Sequence, residues 1–185
     1  MKGKQSKEGK GRLVQSRSIE VNTYDLGNHQ VRVEGKLADH RYPLRPAESE
    51  GGPKVIHDLV ARIWVQGPDL TICKVEAEMP RIPMNLCPEV LPQIQKLVGL
   101  KIITGFSQKV KDLIGGAEGC SHLTHLFVNL GPLAVQGYFA AYGRAAGKSL
   151  GPPALSRLVD SCYLWRKDGP LVRSITETPS MTKGG

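Results

Sequence analysis

The stretch Val55–Val65, V-I-H-D-L-V-A-R-I-W-V, decides the architecture. Val55, Leu59, Ala61, Ile63 and Val65 share one parity, while Asp58, Arg62 and Trp64 take the other. That is the period of a strand with one covered face. His57 falls on the aliphatic parity. Working outward, Gly67-Pro68-Asp69 turns the chain, and Leu70–Met79 supplies a hairpin partner. Upstream, Ile19, Val21 and Thr23 alternate with polar neighbours, Gly27-Asn28 marks a turn, and Val31, Val33 and Leu37 alternate again. Asp39 continues that last parity and points to the apolar side at its strand's end. A loop rich in Pro, Gly, Glu and Ser, from Pro43 to Pro53, separates the two hairpins. Four strands joined by short turns predict one antiparallel sheet with a single covered face.

From Pro80 the period changes. Pro80, Pro83 and Pro88 punctuate a loop carrying Cys87, after which Val90, Leu91, Ile94, Leu97 and Val98 recur at helical spacing. A second helix is expected over Phe106–Ile114, stopped by Gly115-Gly116. A third begins near Ser121, is interrupted or kinked around Gly131-Pro132, and resumes through Arg144. A short last helix follows Pro152-Pro153 and takes in Leu155, Leu158, Val159 and Cys162. Strands first and helices afterwards give an α+β fold: a two-hairpin antiparallel sheet in the N-terminal half packed against three to four C-terminal helices. Residues 1–16 read as a disordered basic tail, 17–173 as one α+β domain, and 174–185 as a loose C-terminal tail.

Composition narrows the function classes. The 185 residues are 40% hydrophobic and 23% charged, ordinary values for a globular chain able to bury a core. The formal charge is +8, but residues 1–17 carry six basic residues against Glu8, which leaves only +3 for the remainder. The basic excess is thus mostly a polar tail, and no zinc-finger, helix-turn-helix or RNA-binding signature accompanies it. No specific nucleic-acid partner is expected. No apolar leader and no membrane-length apolar run is seen, so the expected compartment is cytoplasmic, without a membrane partner. Cys73, Cys87, Cys120 and Cys162 form no CxxC pair and are expected as reduced thiols. A small-molecule substrate is the expected partner, with homo-oligomerisation left open.

Reactive side chains concentrate in Leu113–Asn129, L-I-G-G-A-E-G-C-S-H-L-T-H-L-F-V-N. Its glycine turn delivers Cys120, Ser121, His122 and His125 to a helix start, where unsatisfied amides favour a thiolate or an anion. On position alone, Cys120 as a functional thiol and Cys120 as a small packing residue weigh about evenly. His122 and His125, three apart, lie near one another on a helix, yet lack the spacing of a zincin helix. A histidine at His57, facing a core, needs a partner, and Asp39 can orient it as a general base or merely bond to it. Arg41 and Tyr42 are candidates for holding a carboxylate or phenolate. Cys73 and Cys162 read as packing residues.

These features resemble an uncharacterised bacterial family known only as a domain of unknown function. The matching elements are K-L-A-D ending at Asp39, I-H-D-L at His57-Asp58, D-L-T-I-C-K-V-E-A, M-P-R-I-P-M-N-L-C ending at Cys87, L-V-G-L-K-I-I-T-G-F and G-C-S-H-L-T-H-L. They run from about Ser16 to Gln136, with the Gly-Cys-x-His element the most specific. The resemblance singles out Asp39, His57, Cys87, Cys120 and His122, and it implies bacteria that metabolise aromatic compounds. More remotely, the layout resembles the iron–sulfur cluster scaffold fold, with His57 where such scaffolds have a cysteine.

Two main readings result. The first is a cofactor-independent acid/base enzyme on a small aromatic catabolic substrate, a carbon–carbon lyase releasing a small aldehyde such as formaldehyde. In it Asp39, His57, Cys120 and His122 are catalytic, and Arg41, Tyr42 and Ser121 bind substrate. The second is a metal-binding or iron–sulfur scaffold protein, with His57, Cys87, Cys120 and His122 holding zinc or a cluster. A third, a binding protein whose basic tail recruits an acidic partner, stays open.

Overall fold

The computed structural model describes residues 11–44, 52–143 and 159–176. Two hairpins form one four-stranded antiparallel sheet in the order β1 (Gln15–Asp25), β2 (Gln30–Arg41), β3 (Lys54–Gln66) and β4 (Thr71–Arg81). Alternation dictates the faces: Val31, Val33, Leu37, Leu59, Ala61, Ile63 and Val65 are all buried in the core. Register then lines up polar residues at the far end of the same face. Arg17 lies opposite Asp39, and Asp39 lies opposite His57, so the three form a row across β1, β2 and β3. The β2–β3 register shifts between Asp39 and His40, immediately after that row. At β4, the segment 99–102 continues the pairing: Ile72 N–H donates to Leu100 O, and Ile102 N–H donates to Leu70 O, each at 2.9 Å.

Helices cover the apolar face. Helix α1 (Phe106–Ile114) packs on helix α2 (Ser121–Tyr142), which crosses β1, β2 and β3. Between β4 and α1 runs a 3-10 segment, Cys87–Leu97, where the spacing predicts an α-helix. Leu91, Ile94 and Leu97 recur every three residues, which matches a 3-10 period, and the internal Pro92 has no N–H to give an α-helical ladder. A short helix α3 (Pro170–Thr176) ends the described chain.

Other expectations need correction. Helix α2 is not interrupted at Gly131-Pro132: it runs unbroken through both. Pro132 lies on the exposed side, where solvent can satisfy the carbonyl its ring leaves without a donor, while Gly131 is buried against the Phe106 ring. The helix ends at Tyr142 with Gly143 as its C-cap residue; Arg144 falls outside the described residues, as does the stretch 152–158 of the expected last helix. Cys162 is not helical; it is exposed and extended before a 3-10 turn, Tyr163–Trp165. Cys73 is exposed too, with its thiol donating to Trp64 O at 3.3 Å, so neither thiol is a packing residue. Gln15 and Ser16, assigned to the tail, belong to β1, and residues 174–176 belong to α3 rather than to a loose end. Among the described residues no helix is long and apolar enough to cross a membrane.

The helix lies close on the sheet because small residues permit it. A Cβ added to Gly35 of β2 would stand 2.7 Å from Leu130 and 2.8 Å from Leu126, both on α2. Replacing Gly35 with Val should therefore lift α2 and cost about 1–3 kcal/mol. A thermal melt of Gly35→Val unchanged from wild type would show that the contact does not set the packing.

Candidate functional site

Asp39 is the centre of the site, and its side chain is 0% exposed. A buried carboxylate is costly unless hydrogen-bonded and paired. Arg17 meets this need as a fork: its Nε donates to Oδ1 at 2.6 Å and its Nη2 to Oδ2 at 2.8 Å. His57 Nδ1 lies 2.9 Å from the same Oδ2. The third approach comes from the helix layer, where His122 Nε2 stands 3.5 Å from Oδ2. The two imidazoles stack, with centroids 3.9 Å apart and planes at 32°.

Helix α2 brings His122 there through its first turn. Cys120 is the N-cap residue, extended at φ −112°, and no side chain caps the helix. Gly119 is required just before it, because an added Cβ would fall 1.8 Å from Ile114 O. Thr124, buried, holds the turn: its Oγ1 is 3.0 Å from Ile114 O and 2.9 Å from Cys120 O. His122 then lies between two partners, with Nδ1 3.8 Å from Cys120 Sγ and Nε2 toward Asp39. Solvent reaches the cluster unequally: the side chains of His57, His122 and Arg17 are 15%, 23% and 37% exposed. The three side chains around Asp39 are therefore partly reachable by solvent, while the carboxylate itself is not.

Electrostatics separate the roles. The Arg17 bond, Arg17's charge and the His57 contact together hold the Asp39 carboxyl below its ordinary range, against the opposing cost of burial. Asp39 is thus an anion, and an acceptor-only carboxylate 2.9 Å from His57 Nδ1 places the proton on that nitrogen. His57 Nε2 is left as the acceptor of the ring. His122 is pushed down from 6.5 first by burial, then by the neighbouring His57 and Arg17 charges, with Asp39 opposing. It is neutral at neutral pH.

Of the residues singled out from sequence, Asp39, His57 and His122 converge, and Cys120 adjoins them. Among the described residues these first three are the group of His, Cys, Asp or Glu whose ligand atoms all lie within 4.8 Å of one another; Cys87 and Cys120 stand outside it. Cys87 is half-buried at the start of the 3-10 segment. Arg41 is exposed at the end of β2, Tyr42 OH lies 3.3 Å from Ser16 Oγ, and Ser121 is exposed as the first residue of α2. His125 is exposed on the helix. The residue missed is Arg17. It has the parity of Ile19, Val21 and Thr23, a signal hidden by the basic residues that precede it.

Stability should record these charges in two acid steps. A histidine held low in the fold contributes stability above its unfolded value and loses it as pH falls below about 6.5. Asp39, also held low, loses its contribution as pH falls below about 4 and through its folded value. Urea unfolding from pH 8 to pH 3 should show both declines, the first missing in His122→Gln and the second reduced in Arg17→Met. Parallel curves for all three proteins would contradict this.

The chain belongs to the family described as protein of unknown function (DUF2889), whose profile matches residues 15–136. That span opens with β1 and ends within α2, and so contains Arg17, Asp39, His57, Cys120 and His122. No curated protein and no solved structure gives a significant match.

Proposed function

We propose that this member of the family is an acid/base enzyme acting on a small aromatic catabolic substrate, with His57 as the general base and no organic cofactor. The observation that supports it is the Arg17–Asp39–His57 relay, a buried anionic carboxylate that orients one partly exposed imidazole through its Nδ1. A positioned base of this kind typically contributes about 10²–10⁴-fold. Arg17 is a positioning residue, since both its bonds go to Asp39. Neutral His122, stacked on His57, polarises or binds the reacting oxygen, and the amides at the start of α2 beside Cys120 suit an anionic substrate group.

The reaction that fits this equipment is carbon–carbon cleavage of a hydroxymethyl-bearing aromatic substrate. His57 Nε2 takes the hydroxyl proton, the oxygen's electron pair becomes the second bond of a carbonyl, and the carbon–carbon bond breaks. Its electron pair stays on the carbon adjoining the ring, which takes the proton back from His57. Formaldehyde leaves, and no net oxidation or reduction occurs. The scaffold alternative would need thiolates at the centre of the cluster, whereas a carboxylate occupies that place and Cys87 is outside the group.

The test is formaldehyde release from phenolic substrates carrying a primary alcohol. His57→Gln should lower kcat by about 10²–10⁴-fold with the fold intact, and Arg17→Lys, which lacks the fork, should lose less. Wild-type turnover retained in His57→Gln would remove His57 as the base.

A further inference from the structure

The relay uses His57 fully but leaves His122 Nε2 without a good bond. Oδ2 of Asp39 already receives Arg17 Nη2 and His57 Nδ1, and one carboxylate oxygen has two lone-pair directions. His122 Nε2 is nevertheless aimed at that oxygen from 3.5 Å, at the limit of hydrogen-bond distance. Two imidazoles from different layers, sheet and helix, thus converge on one anionic oxygen. Repulsion between them would grow if both were protonated, and a proton cannot bond to three centres at once.

A metal ion can. We propose that Asp39 Oδ2, His57 Nδ1 and His122 Nε2 form a site for one divalent transition-metal ion of the zinc class, with its remaining position on the solvent side. In a tetrahedral zinc site with bonds of about 2.0–2.1 Å, ligand atoms stand about 3.3 Å apart. Here the two separations to Oδ2 are 2.9 and 3.5 Å, and all three atoms lie within 4.8 Å. Both separations to Oδ2 thus lie within about half an ångström of the tetrahedral spacing. An outer partner is in place as well: Arg17 holds the carboxylate. Two imidazoles and one carboxylate select zinc or a neighbouring first-row ion over calcium or magnesium, which prefer oxygen.

This inference rests on the same pocket as the proposed activity, but it describes a different state. An ion on His57 Nδ1 replaces the proton that the relay to Asp39 requires, so metal loading and the relay exclude one another. Zinc is accordingly a reversible inhibitor of the acid/base enzyme.

The experiment is titration of chelator-treated full-length protein with zinc against a fluorescent chelator, together with elemental analysis. One ion per chain is expected, bound at least tenfold more weakly in His122→Gln and His57→Gln and undiminished in Cys120→Ser. His122→Gln decides the matter, since His122 is partly exposed and its loss leaves the Arg17–Asp39 pair intact. Cobalt loading should give visible ligand-field bands without a thiolate charge-transfer band. Absence of stoichiometric binding, equal binding by His122→Gln, or loss in Cys120→Ser would each overturn the site. Activity separates the two proposals. Zinc that inhibits supports the site and leaves His57 as base; zinc that activates supports the site and removes His57 as base. No binding, with turnover still lost in His57→Gln, overturns the metal site alone.

Discussion

A carboxylate with no exposed surface is the constraint on which this end of the molecule depends. Asp39 lies on a face otherwise made of Val31, Val33 and Leu37, and an isolated anion there would be driven to neutralise. The fold answers with a row across three strands, Arg17 on one side and His57 on the other. The fork of Arg17 is directional, so it fixes the carboxylate plane as well as its charge. A structural ion pair would need no more than this. Here the carboxylate has a further partner from the sheet and a fourth group from the helix, and both are titratable and partly open to solvent.

The apolar packing serves that cluster by setting the position of α2. Leu126 and Leu130 lie against Gly35, Gly137 lies against Thr23, and Thr23 Oγ1 donates to Leu133 O at 3.0 Å. These contacts fix where the helix starts relative to the end of β2. Gly119 and Thr124 then fix how it starts. A displacement of one ångström at Gly35 would be passed along a rigid helix to His122, and would change its approach to Asp39 from a close contact to none. Core packing and site geometry are thus one problem in this domain.

Much of this was legible in the sequence because strand parity is a local property. Val55–Val65 alone assigns a face, and that face includes His57; the same logic carried Asp39 inward. The hairpin turns then made the two strands neighbours. Arg17 was hidden for a compositional reason: it closes a run of basic residues, and its parity with Ile19 is visible only once β1 is known to begin at Gln15. Helix α2 misled because Gly131-Pro132 weakens a helix locally, whereas a buried face running from Leu123 to Tyr138 holds it together. The meeting of His122 with Asp39 could not be read at all, since it depends on the height at which a helix docks.

The stacked histidines carry the last step. If the only task were to hold Asp39 ionised, Arg17 would suffice, and an apolar side chain at His122 would bury more favourably. If the only task were to orient a base, His57 would suffice. A second imbalance is added by the environment, which keeps His122 neutral next to an anion that ought to favour its charged form. A neutral nitrogen donor beside a fixed carboxylate is what both a proton-transfer site and a metal site require. The arrangement is costly for stability under acid, a cost that the proposed activity would offset through what the two imidazoles bind.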